Sequence, residues 1–370
     1  MSLSLYNLNK DQVNIMKAIA IILIVLHNFF NHITDIGVNE MFFDSDRVYR
    51  LWDKLIEYPN IWNTTLELIS YYSWPAVLLF IFISGYGLAK RYLGKEKFDT
   101  KSYYIHHTTK LLALYIFAHI IYFILVSRTI DIEEFGEFII QTIFLPFKNY
   151  NEELMFKYSG PFWYFCLVAQ LYLIFPLILF GIKKYGENFL LILFLFSYLL
   201  IYIMTPLAEK VEYPIYGNIF GHLPEFTLGI LLAFSPKYRI TIWSFIIALG
   251  IAITANFYEI VHPLSYLALL IIILYTFYPL YANLPAKSIM YKTLVFIGKI
   301  SMFMFIVNTM IREKYTLKHC ANKSIEEQLI IGLIHLCIVI LVSYILSIAY
   351  RMSGKTIGLI GRKLFARSGQ

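Results

Sequence analysis

The chain has 370 residues, 59% of them apolar and only 15% charged, with a mean hydropathy of +0.65. So many apolar side chains cannot be hidden inside one water-soluble core of this length, which excludes a soluble globular domain and makes lipid the solvent. The net charge of +7 would by itself suit nucleic acid, but its placement along the chain excludes that partner as well.

A spanning helix needs roughly 20 consecutive apolar residues. Hydropathy predicts such helices at 12–33, 66–90, 108–127, 161–182, 187–205, 217–235, 240–258, 263–282, 293–312 and 326–350, an all-α polytopic membrane protein with about ten transmembrane helices. The first follows Lys10 and Asp11 and carries Lys17, His27 and His32. No small-residue cleavage site comes after it, so it reads as a retained span and not a signal peptide. Trp74-Pro75, Pro176 and Pro224 interrupt the second, fourth and sixth spans, where kinks would open cavities. The semi-apolar stretch Phe135 to Phe147 is short for a span and predicts a re-entrant or interfacial helix. Most of the 31 Lys and Arg lie on one side, in the N-terminus, the 90–110 loop, the 283–299 loop and the tail. Most of the 24 Asp and Glu lie on the other, half of them in loops 34–65 and 128–160. Both termini are therefore expected in the cytoplasm, and the positive charge is topological. Residues 1–352 read as one transmembrane domain and 353–370 as a basic cytoplasmic tail, amphipathic enough to lie on the inner membrane surface.

Ionisable groups inside spans are costly and are functional candidates by default. A histidine at the depth of His27 can stay neutral and act as general base on a hydroxyl, or can bond a neighbouring helix for packing. Lys17, nearer the cytoplasmic end, reads either as a snorkelling anchor or as a functional cation. Glu225, beside Pro224, calls for a Lys or His partner or for protonation. His119 and His335 read as packing residues. Cys166, Cys320 and Cys337 are too few and too scattered for a disulfide framework. The sequence has no Gly-rich phosphate loop, no metal-ligand cluster and no serine nucleophile elbow.

Lys17-Ala-Ile-Ala-Ile-Ile-Leu-Ile-Val-Leu-His27 resembles the first span of the membrane acyltransferase family 3 proteins, in which a basic residue precedes a catalytic histidine. Further segments match in order. Phe82-Ile-Ser-Gly-Tyr-Gly-Leu88 is similar to the Ser-Gly-rich end of the family's next span, and Lys101 to Leu112 stands at its cytoplasmic Arg-x-x-Arg stretch. Trp163, Tyr172 and Pro176 fit a Trp, Tyr, Pro pattern. His222-Leu-Pro-Glu-Phe-Thr-Leu-Gly229 resembles a Pro-x-Phe-x-x-Gly segment, and Gly298-Lys-Ile-Ser resembles the Gly-x-Ile-Ser run of a late span. The chain departs from the pattern in four places. His27 is ten residues from Lys17, not eleven, so that Asn28 holds the in-phase place and His32 lies one turn beyond it. Val168 stands where the family often has Glu, Asn308 replaces a late-span His, and only Lys110 can be placed from the Arg-x-x-Arg pair.

The resemblance implies an O-acyltransferase, with acetyl the first expectation. It would take an acyl group from cytoplasmic acyl-CoA to a hydroxyl of a cell-surface or lipid-linked sugar, with no permanently bound cofactor, in the plasma (inner) membrane of a bacterium. Within it His27, Asn28, His32 and Asn308 are the catalytic candidates, with His27 as base or transient acyl carrier and an Asn stabilising the oxyanion. Lys17, Arg91, His107 and Lys110 would bind the phosphates of the donor. Trp163, Tyr164, Gln170, Tyr172 and Glu225 would contact the acceptor. Partners are then acyl-CoA, the glycan and membrane lipids, with no nucleic acid; monomer or homodimer stays open. Two other classes fit less of the sequence. A proton-coupled transporter or flippase of lipid-linked glycans would use the buried His and Glu, but the chain has no internal repeat. A multi-spanning glycosyltransferase would need larger outer loops.

Overall fold

The computed structural model describes residues 2–34, 41–126 and 132–367, with the backbone alone for 354–367. Helix α1 (Lys10–Phe30) starts where the Asn9 side chain caps the Gln12 amide and Gln12 returns a bond to Asn9. A short amphipathic helix α2 (Asp46–Glu57) follows, then α3 (Ile61–Tyr72) and α4 (Ala76–Tyr92), which meet at 41° across Ser73-Trp74-Pro75. Next come α5 (Thr100–Leu125), α6 (Ile132–Ile143), a 3-10 turn at Leu145–Tyr150, α7 (Glu152–Phe156), α8 (Trp163–Tyr185) and α9 (Glu187–Lys210). The chain continues through α10 (Ile219–Phe234), α11 (Ile242–Thr254), α12 (His262–Thr276), α13 (Tyr278–Ala282) and α14 (Ile289–Ile311). A π-helix at Arg312–Thr316 and a 3-10 turn at Leu317–Cys320 lead into α15 (Ile325–Arg367). Two dipeptide strands, β1 (Ser2–Leu3) and β2 (Ile240–Thr241), pair antiparallel.

A helix falls at each predicted span. Among the described residues seven are long and apolar enough to cross a membrane, and the bent pair α3–α4 makes an eighth. The remaining two, α10 and α11, have 16 and 13 residues. At 1.5 Å per residue they measure about 24 and 20 Å, less than a bilayer core of about 30 Å. The proline expectation is corrected in part. Pro75 ends one helix and turns the chain, whereas α8 and α10 run unbroken through Pro176 and Pro224. An internal proline removes only one helical donor, and neighbouring helices can hold the backbone around it. The Phe135–Phe147 stretch forms most of α6 and the start of the 3-10 turn.

Burial separates the helices into an inner and an outer set. In α14, 78% of the apolar window is buried and in α1 67%, against 17% in α9, so α1 and α14 form the axis and α9 faces outward. The two axial helices touch at backbone distance, because a Cβ on Gly298 would fall on the carbonyl of Asn14. One end further on, the Arg312 guanidinium donates to the carbonyl of Asn28. Both pairs have a sequence separation of 284, so α1 and α14 run parallel and in one register for about 21 Å. α4 and α10 make a second close seam, with Gly85 against the Phe226 carbonyl and Gly229 against that of Phe82.

Beside the bundle, the buried Lys148 donates to the carbonyls of Leu154 and Met155 at 2.8 and 2.9 Å and so ties the 3-10 turn to α7. Burial pushes its ammonium down from 10.5 to about 8. The folded protein therefore releases this proton before the unfolded chain does, and the Lys148 contribution to stability rises with pH between about 8 and 10.5. Thermal unfolding in detergent should show that rise in the wild type and a flatter profile in Lys148→Met. Gly298→Val should lower the unfolding midpoint, at a cost of about 1–3 kcal/mol, by forcing α1 and α14 apart; an unchanged midpoint would mean the seam can relax.

Candidate active site

The residues singled out in the sequence form a group at each end of the α1–α14 axis, with Trp163, Tyr164, Gln170 and Glu225 on α8 and α10 as a further set. His27 and Lys17 are ten residues apart on an unbroken α-helix, about 15 Å along it and about 80° around it. No local shift brings them into phase, so the departure in spacing is real, and His27 projects from the flank of the Lys17 face.

At the His27 end, the imidazole is 3% exposed and its Nδ1 lies 2.7 Å from the carbonyl oxygen of Ser70. That carbonyl is in the last turn of α3, where helix geometry leaves acceptors open. A carbonyl only accepts, so Nδ1 carries the proton and the neutral ring presents the lone pair of Nε2. Among the described residues the hydrogen bond of this ring is the one at Nδ1. The Ser70 hydroxyl meets Thr34 at 2.8 Å, which pins the strap carrying this carbonyl. Two arginines bring positive charge to His27, Arg47 and Arg312. Arg47 lies over the Tyr71 ring at 4.2 Å and donates to the Tyr71 carbonyl. Arg312 is 4% exposed and donates to Asn28 O at 2.9 Å and to Glu313 at 2.8 Å.

Asn308 is fully buried on α14, and its Oδ1 is 2.9 Å from His335 Nε2. The other ring nitrogen, His335 Nδ1, is 3.0 Å from the Thr316 hydroxyl, and the ring stacks on Phe29 at 4.7 Å. His335, which the sequence presented as packing, therefore orients Asn308. Asn28 is half-buried and contributes its carbonyl to Arg312. His32 is exposed, with Nδ1 3.0 Å from Asn28 O.

At the Lys17 end, the half-buried Lys17 feels Lys110 and Lys10 as like charges. Arg91 is 3.3 Å from His106, and Lys90 lies over the Tyr6 ring at 3.7 Å. His107 is buried, with Nε2 2.9 Å from the Tyr92 hydroxyl and with the rings of Tyr103 and Tyr172 at 4.5 and 4.6 Å. The structure thus gathers Lys17, Arg91, His107 and Lys110 in one region and adds Tyr172 to it, its ring against His107.

Trp163 stacks on His222 with ring centres 6.1 Å apart, and Tyr164 sets its ring on Phe305 of α14 and its hydroxyl on Ser84. Glu225, 1% exposed, faces His222 Nδ1 at 3.5 Å, while His222 Nε2 donates to the Tyr216 carbonyl at 2.7 Å. Glu225 thus has a histidine beside it but, among the described residues, no hydrogen bond to either carboxylate oxygen. Gln170 is spent on structure. Its amide nitrogen donates to Pro146 O and Asn218 Oδ1 at 2.8 and 2.7 Å, and its oxygen accepts from Ile219 N. Gln170→Ala should therefore cost about 1–3 kcal/mol of stability by stranding these groups; a drop in unfolding midpoint checks this, and an unchanged one would return Gln170 to the pool of ligand-binding residues.

Sequence reasoning missed Ser70, Arg47, Arg312 and the role of His335. One signal was available for Arg312, an arginine closing a span on the side where acids prevail. Among the described residues no group of three or more His, Cys, Asp or Glu is placed to hold a metal ion.

A family model described as an acyltransferase domain matches residues 10–352, nearly the whole chain. Neither the curated proteins nor the solved structures contain a match to it. The match takes in both axial helices and every residue of the two groups above, and the chain belongs to acyltransferase family 3, a family of membrane acyltransferases.

Proposed function

We propose that the protein is a membrane O-acyltransferase that moves an acyl group, acetyl in the simplest case, from cytoplasmic acyl-CoA to a hydroxyl of a cell-surface or lipid-linked sugar. The observation that carries this reading is the bond from His27 Nδ1 to Ser70 O, because it leaves a buried imidazole with its Nε2 lone pair free and its tautomer set. The Lys17 end, rich in cations and expected in the cytoplasm, would receive the 3′-phosphate and pyrophosphate of CoA on Lys17, Arg91 and Lys110. His107 and Tyr172 would pack against the pantetheine arm. The thioester would reach His27 along the α1–α14 axis. Trp163 and Tyr164 would face the acceptor from the opposite side, with the His222–Glu225 pair beneath Trp163.

In the step itself His27 Nε2 takes the proton of the acceptor hydroxyl. The oxygen attacks the thioester carbonyl carbon, the C–O bond forms, and the carbonyl π pair moves to oxygen. The π bond then re-forms, the C–S bond breaks, and the leaving thiolate takes the proton from the His27 imidazolium to give CoA thiol. Neither metal nor redox cofactor enters this balance. Donor and acceptor are both required, and His32 takes no part.

His27→Ala should abolish acyl transfer, by at least about 10²-fold, in protein that still inserts and still binds CoA. His32→Ala should retain transfer within about threefold, because His32 is exposed and turned back on Asn28. Release of CoA thiol from acetyl-CoA by protein in nanodiscs, with a glycan acceptor supplied, measures both. Full activity in His27→Ala would sink the mechanism, and loss confined to His32→Ala would move the base by one turn and a half.

A further inference from the structure

Among the described residues, two buried hydrogen-bond donors near the end of α14 have no partner, and one of them belongs to Arg312, whose charge acts on His27. Arg312 Nε is buried and without a partner, although the two terminal nitrogens of the same guanidinium are engaged by Asn28 O and Glu313. Asn308 Nδ2 is buried and, among the described residues, equally without a partner. Leaving such a donor dry costs about 1–3 kcal/mol each, more for a charged group, so two together call for an acceptor that arrives later. They stand four residues apart at the end of α14, on one face of the helix. The chain passes into a π-helix at Arg312, a form that is rare and concentrated at functional sites.

The orientation of Asn308 is determined by its neighbours. The Thr316 hydroxyl lies 3.0 Å from His335 Nδ1 but 3.4 Å from the carbonyls of Ile311 and Arg312, so its shorter bond is to the ring. Nδ1 then accepts, Nε2 carries the proton, and Asn308 must offer Oδ1 to it. Its amide protons are what remain, in the part of the protein where Arg312 brings its charge to His27.

We propose that Arg312 Nε and Asn308 Nδ2 form a two-donor pocket for the negative charge that develops on the acyl carbonyl oxygen, with His335 and Thr316 as positioning residues. This rests on the acyl-transfer reading and adds to it a residue that neither the motifs nor the spacing pointed to. While His27 holds the proton of the acceptor, the two donors take the oxyanion, and they return to their unbonded state when the carbonyl re-forms. Their lack of a partner in the resting protein is the preorganisation that such a pocket requires, since no protein group has to be displaced when the charge appears.

The test uses full-length protein in nanodiscs. Its turnover substrate is acetyl-CoA with a glycan acceptor, and its binding probe is a CoA thioether ending in a methylsulfonate, an anionic tetrahedral group where the acyl carbonyl would sit. The wild type should bind the probe at least about tenfold more tightly than CoA. Arg312→Leu should erase that preference with CoA affinity unchanged, and should lower kcat about 10²–10³-fold with the donor KM within about twofold. Should Arg312→Leu fail to fold, Arg312→Lys carries the test. It keeps the positive charge but has no Nε–H, and should lose at least about tenfold in kcat with CoA still bound. His335→Leu should lower kcat in the same sense without altering CoA binding. Arg312 variants with wild-type kcat, or with CoA binding and turnover lost in parallel, would overturn the pocket and leave the acyl-transfer reading in place. A wild type that releases no thiol from acetyl-CoA and does not bind CoA would overturn both.

Discussion

The seam between α1 and α14 is the constraint from which the rest of the molecule follows. Two apolar helices in lipid gain little from hydrophobic burial against each other, because the tails are as apolar as they are, and so they associate through close packing and polar contacts. Gly298 removes the side chain that would keep the backbones apart at Asn14, and Arg312 supplies a charged bond to Asn28 at the other end. Two contacts with the same sequence offset leave no freedom to slide. A shift of one residue would turn α14 by about 100° and carry Asn308 and Arg312 away from His27.

Around that axis three buried histidine rings are each oriented by a protein acceptor. His27 gives Nδ1 to a helix-end carbonyl and keeps Nε2; His335 gives Nε2 to Asn308 and so frees an amide; His222 gives Nε2 to Tyr216 and turns Nδ1 to Glu225. In a medium that cannot solvate them these contacts are costly to omit. The open end of α3 is what makes the first of them available. The chain breaks at Ser73-Trp74-Pro75, the final carbonyls of α3 lose their helical partners, and His27 uses one of them.

The two ends of the axis differ in charge as well as in residue type. Lysines and Arg91 crowd the Lys17 end around an aromatic box of Tyr92, Tyr103, His107 and Tyr172, whereas the His27 end carries two arginines, each bonded to a backbone carbonyl through a terminal nitrogen, together with acidic loops. In the proposed acyl transfer that polarity would suit an anionic donor entering from one side and an uncharged hydroxyl from the other, the acyl carbon meeting the imidazole about 15 Å along α1 from Lys17.

The sequence by itself determined the solvent, the helical class and the position of each apolar helix, because a bilayer requires runs of about 20 apolar residues and tolerates few charges within them. It also pointed to His27, Lys17, Asn308 and Glu225, since polar groups in such runs are conspicuous against their background. Only the tertiary structure decided how these residues are used. Which nitrogen of His27 is free depends on a carbonyl 43 residues away, and the pairing of Arg312 with Asn28 spans 284. Gln170 looked like a ligand contact, yet its amide is consumed by Pro146, Asn218 and Ile219; Tyr172 stood next in line with Trp163 and packs instead on His107. Hydropathy and helical period describe one segment at a time, whereas a hydrogen-bond partner is chosen by which segments lipid-packed helices bring together, and that choice was made by the register of α1 on α14.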